Sequence, residues 1–212
     1  MNRTNWTPMS VGLVIAAILA TASNGYTANS PTDPIAYCRS LTGVNVIIGT
    51  QTSDTLTGTA GPDCIVGLGG QDSINGLGGN DIIFAGEGDD TVVGGAGDDQ
   101  LFGGGGQDNV QGGDGNDQLN GENGDDTLTG GEGNDTISGG FGQDRLFGEG
   151  GNDTLTGDAD DDQLSGGVGD DTLSDCLNHN RLDGGTGTNS CQATMSGVNS
   201  STLISCQTIL SC

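Results

Sequence analysis

Fourteen aspartates stand at nine-residue intervals from Asp54 to Asp171, and no insertion breaks the register. A chain so constrained is an array, and its fold must be built from one unit stacked on copies of itself. Laid out in nines from Gly49 to Ser174, the units follow the pattern G-G-x-G-x-D-x-(aliphatic)-x. Gly94-Gly95-Ala96-Gly97-Asp98-Asp99-Gln100-Leu101-Phe102 is one example. Positions within the unit are numbered one to nine below.

The first six positions supply the backbone freedom of a tight turn, because glycine reaches positive φ without steric cost. The last three read as a strand in which alternation sends position eight inward and its neighbours outward. Position eight holds Leu56, Ile65, Ile74, Ile83, Val92, Leu101, Val110, Leu119, Leu128, Ile137, Leu146, Leu155, Leu164 and Leu173, aliphatic in every unit. Two units then make one coil with a strand on each side, and each unit stacks on the unit two places on in a parallel ladder. The fold class is all-β, a β-solenoid. One buried aliphatic per nine ordered residues cannot offset the entropy of ordering them. Aligned, uncompensated carboxylates would also repel, so a cation has to bind for the coils to form.

Stacking identifies what holds that cation. It brings the aspartate of one unit beside that of the unit two places on, Asp99 beside Asp117 for example, with glycine carbonyls from both turns facing the same gap. The candidate ligands are the carboxylates of Asp54, Asp63, Asp72, Asp81, Asp90, Asp99, Asp108, Asp117, Asp126, Asp135, Asp144, Asp153, Asp162 and Asp171. The position-four carbonyls of Gly79, Gly88, Gly97, Gly106, Gly115, Gly124, Gly133, Gly142, Gly151 and Gly169 complete the set. An all-oxygen cage of this flexible kind favours Ca2+ over magnesium, which demands a stricter octahedron. Zinc or copper would want imidazole or thiolate, which the units lack.

The units GGAGDDQLF, GGDGNDQLN and GGEGNDTIS resemble the RTX, or hemolysin-type, calcium-binding nonapeptide repeat. The resemblance spans about 60% of the chain. It implies a right-handed parallel β-roll in which each calcium sits between successive turns on the same side. Fourteen units leave about twelve such gaps, and that many divalent ions would carry roughly +24.

The array is weaker at some points. Thr52 and Asp160 replace the glycine at position four and Pro62 enters the second turn, so the first two units and the unit of Asp162 make less regular sites. Beyond Ser174 the pattern frays: Asp175 to Asp183 keeps Leu182 but carries Asn180 at position six, and Gly184 to Gln192 carries Asn189 there. Gly43, Asn45 and Ile47 fit the register one unit early. The expected organisation is a signal peptide over 1–22, an N-terminal cap over 23–48, the calcium-binding roll over 49–174, and degenerate repeats with a cysteine-rich cap over 175–212.

The signal peptide is read from Arg3, the apolar run Val11 to Ala20 and the cleavage site Ala20-Thr21-Ala22. The run is too short for a bilayer, and no membrane span is expected after its removal. The formal charge is -25, and loss of Arg3 makes it -26 with no lysine in the chain. Such a charge repels nucleic acid and anionic lipid and attracts cations. Six cysteines (Cys38, Cys64, Cys176, Cys191, Cys206 and Cys212) flank the array, two near its start and four at or beyond its end. In an exported chain they read as disulfide staples on the caps, with fifteen pairings open. The location expected is extracellular or cell surface.

Val66, Phe84 and Phe102 recur every eighteen residues on one outer face. Either they form an apolar partner surface, or residues 23–48 fold over them. His179 reads as a surface or cap histidine, and of the sequons at Asn134, Asn152 and Asn199 the first two follow from the repeat's own composition. The functional expectation is a secreted, non-catalytic calcium-binding protein that folds on binding the ion. The alternatives are a calcium-stiffened adhesin or matrix module contacting cell-surface polysaccharide or protein, and the accessory part of a secreted enzyme. About 26 residues before the array and 38 after it are too few for a catalytic domain.

Overall fold

The computed structural model describes residues 33–175, 179–193 and 202–211. The signal peptide, Cys176, Cys212 and Asn199 lie outside the described residues. The chain divides into two units at Thr42 and Gly43. In the first, helix α1 (Pro34–Ser40) starts on Asp33, whose side chain accepts the Ile35 N–H at 2.9 Å, with proline at the first helical position. This is an ordinary N-cap.

The second unit is a parallel β-solenoid. Nineteen strands, counted among the described residues, alternate between two sheets: ten odd-numbered strands in one, nine even-numbered in the other. Register follows the eighteen-residue coil, as where Val92 pairs with Val110 and Val110 with Leu128. From Ile65 to Leu173 every position-eight residue is at most 3% exposed. The stripe runs on through Leu182 and Cys191, and Ile47, Leu56 and Leu203 pack against it while partly buried. Two aliphatic columns, one per sheet, thus face each other along the axis. Leu56 is the one expected core residue that is only half-buried, because it belongs to the strand at the edge of its sheet.

The strands are longer than the three residues the pattern suggests. Gln100–Gly105 and Asn109–Asp114 are typical six-residue strands that run from position seven through position three of the following unit. The ladder survives a left-handed residue at position two: Gly95, at φ 119°, still pairs with Gly113. The turn therefore shrinks to positions four to six, and the aspartate is its last residue.

Past Ser174 the degenerate segments still add strands to both sheets, Arg181–Asp183, Ser190–Ala193, Thr202–Ile204 and Thr208–Ser211. The register lengthens at the end, where Leu182 pairs with Leu203. A disulfide joins Cys191 to Cys206, and Cys38 and Cys64 are also disulfide-bonded. Val66, Phe84 and Phe102 do stack in register, with the two phenylalanine rings 4.9 Å apart and nearly parallel. All three are buried, so they do not form the exposed patch that one reading required. Among the described residues no helix is long and apolar enough to cross a membrane.

Candidate metal centre

Each position-six aspartate closes a turn and is bound into the next by one of its two oxygens. Asp81 N–H donates to Asp99 Oδ1 at 2.8 Å, and Asp99 N–H in turn donates to Asp117 Oδ1 at 2.8 Å. The same bond, spanning eighteen residues, recurs in every unit from Asp54 N–H on Asp72 to Asp153 N–H on Asp171. Oδ1 is thus structural. From Asp72 to Asp171 the other oxygen, Oδ2, is buried and receives no hydrogen bond in any of the twelve units. A buried acceptor without a donor is costly, and twelve in register amount to a systematic feature of the fold.

Oδ2 points at the position-one residue of its own unit. A Cβ on Gly94 would collide with Asp99 Oδ2 and with the carbonyl oxygen of Gly112, position one of the next coil on that side. Gly76, Gly112, Gly121 and Gly148 show the same convergence of one carboxylate and one carbonyl oxygen. Glycine at position one leaves a cradle that a methyl would fill, lined by oxygens alone. The chain also contains its own control. In the degenerate unit Asn189 replaces the aspartate, keeps Oδ1 as acceptor for the Asp171 N–H, and donates from Nδ2 to the carbonyls of Gly184 at 2.6 Å and Ser205 at 3.4 Å. Where the side chain brings its own positive end, the convergent oxygens are satisfied. Where it is an aspartate, a cation is what fits.

Electrostatics agree. Burial pushes the carboxyls of Asp99, Asp108 and Asp144 up to about 7, offset by the backbone N–H on Oδ1 and reinforced by aspartates in adjacent coils. Asp81, Asp90, Asp117, Asp126, Asp135 and Asp153 rise to about 6 for the same first reason. These carboxylates lack a counter-charge, since among the described residues the ion pairs are His179 with Asp161 and Arg181 with Asp183, both on the surface.

The structure treats the fourteen aspartates unequally. In the first two units Thr50 and Thr59 at position two donate both N–H and hydroxyl to Oδ2 of Asp54 and Asp63, at 2.6–3.1 Å. Those two carboxylates are satisfied from within. The ten position-four glycines from Gly79 to Gly169 take positive φ, from 108° to 144°. Their carbonyls point along the axis at the next position-four glycine, as Gly97 does at Gly115, leaving no room for a side chain there. A carbonyl that converges with Oδ2 over position one is the position-one carbonyl of the next coil, a ligand candidate the pattern did not single out. Among the described residues no three His, Cys, Asp or Glu side chains converge, so side chains alone do not make a metal cage.

Position five was read as variable, but it forms a second ladder. Asn116 N–H donates to Asp98 Oδ1, Asn134 N–H to Asn116 Oδ1 and Asn152 N–H to Asn134 Oδ1, at 2.7–2.9 Å. On the other side Asp89 and Asp125 receive the N–H of Gln107 and Gln143. The clue was the run of Asp, Asn and Gln at that position. His179 is exposed and donates its N–H to Asp161, as a position-five residue should.

A family model of the RTX calcium-binding nonapeptide repeat matches residues 48–83, 75–110, 102–137, 111–146 and 138–173, which together cover 48–173 without a break. Among curated proteins, none matches the chain.

Proposed function

The chain belongs to the RTX calcium-binding nonapeptide repeat family, and on that premise we propose that it is an exported, non-catalytic protein whose folding is driven by calcium. Calcium-binding repeats and disulfides fit an extracellular protein. In this reading Oδ2 of the position-six aspartates, with turn carbonyls of adjacent coils, holds the ions, and the ions supply the positive charge that the side chains do not. The observation that carries it is the contrast between twelve buried Oδ2 atoms without a donor and Asn189, whose amide satisfies the same place. Asp72 to Asp171 are therefore the ligands of choice, giving about a dozen ions, and Asp54 and Asp63 contribute least.

Because calcium binds the stacked form and not the extended chain, binding free energy is folding free energy. Where calcium is scarce the chain stays extended and can be exported; at the millimolar calcium of the outside it folds. Dissociation constants of about 10⁻⁴ to 10⁻³ M and a cooperative response are expected of such an extracellular module. Far-ultraviolet circular dichroism tests this: calcium should convert coil to β, chelator should reverse it, and magnesium should do little. A β spectrum unchanged by chelator would refute the reading.

A further inference from the structure

We propose that Asp175 and Asp162 together form a two-carboxylate calcium site at the end of the regular array, with a ligand set unlike that of any other unit. It rests on the reading that the position-six aspartates hold calcium. Position one is glycine, or Ala85 once, in all fourteen units, and is aspartate in the fifteenth. That substitution falls at the point where the ligands converge. Over Gly148 the two oxygens that meet are Asp153 Oδ2 and the Gly166 carbonyl; over Gly139 they are Asp144 Oδ2 and the Gly157 carbonyl. Over Gly157 they are Asp162 Oδ2 and Asp175 Oδ2. The carboxylate of Asp175 thus stands in the place that a backbone carbonyl takes elsewhere, and raises the site's charge from one to two.

Both residues are 1% exposed. Asp162 Oδ1 is occupied by the Asp144 N–H, and its backbone N–H donates to Asn180 Oδ1. Its Oδ2 receives no backbone hydrogen bond and meets the Asp175 carboxyl group at the same point. Asp158 and Asp160 add negative potential to Asp162, and among the described residues no ion pair answers it: Arg181 is paired with Asp183 on the surface, and Arg145, on the neighbouring strand of the same sheet, is exposed. Two buried carboxylates brought to one point repel each other, and one partner could have been glycine at no steric cost. A divalent ion reverses the balance, since two carboxylates match its charge. Calcium affinity rises with the number of charged ligands, so this site should fill before the others, with a dissociation constant roughly tenfold or more below theirs.

The test is calcium titration of the mature chain by calorimetry, with circular dichroism in parallel, on wild type, Asp175→Gly and Asp175→Asn. Asp175→Gly restores the repeat pattern and Asp175→Asn keeps the shape while supplying a donor, so both should still fold with calcium. The expected result is one tight site per chain in wild type that both variants lose, while the weaker class and the β signal persist. Wild type without a tight site, or variants that retain it, would overturn the proposal while leaving the general calcium reading intact. A chain that binds no calcium in any form would sink both.

Discussion

Aspartate at position six does two jobs with two oxygens, and substitutions can separate them. Asp117→Asn keeps the acceptor for the Asp99 N–H and adds an amide donor toward the carbonyls, as Asn189 does in the native chain. The expected outcome is one calcium fewer per chain by equilibrium dialysis, together with more β structure in chelator than wild type shows. Asp117→Ala loses both jobs, and its calcium-saturated fold should be weaker by about 1–3 kcal/mol in chemical denaturation. The role of Oδ1 was invisible in the repeat pattern because the pattern specifies a side chain and not which of its atoms is used. The exemption of Asp54 and Asp63 was half legible: the irregular turns pointed there, but not the threonines at position two that satisfy both. Asp175 was passed over because it sits in a unit whose position six is Asn180 and which therefore reads as metal-poor.

At the scale of the coil, the aliphatic column and the eighteen-residue stacking were fully legible, since an unbroken run of apolar residues at one position admits a single inward face. Strand length was not, because positions one to three are rich in glycine and look like turn; the ladder tolerates the left-handed corner at position two. Each core residue touches its own column and the facing one, so Leu128→Ala should cost about 2–5 kcal/mol, read as a lower midpoint in the calcium-saturated state. The aspartate column also sets a pH dependence in chelator. Folded carboxyls at about 6 to 7 stand above the ordinary 3.8, so between those values the metal-free fold holds more protons than the extended chain does. Its stability is therefore greatest at and below pH 3.8 and is lost as pH rises through 6 to 7. Acidifying the chelated protein should raise the β signal by circular dichroism, and a signal that instead grows with pH would contradict it.

Across the whole molecule, stability is a sum over neighbouring coils, and the ends are where it fails first. Cys191 and Cys206 close a fifteen-residue span at the C-terminal end. Replacing both with serine should cost roughly 3 kcal/mol, raise the calcium concentration at the folding midpoint, and speed amide exchange in the last coils more than at Leu119 or Ile137. The array was legible at this scale from its spacing alone, whereas the termination, where Leu182 pairs with Leu203 across an irregular stretch, follows from tertiary pairing that no repeat announces. Consecutive units alternate between the two sheets, which bears on how such a protein can change in length. Gaining or losing eighteen codons leaves every downstream side chain on its own face, with the phenylalanine stack and both position-five ladders intact. Nine codons would transpose the faces, so repeats here should be duplicated or deleted in pairs.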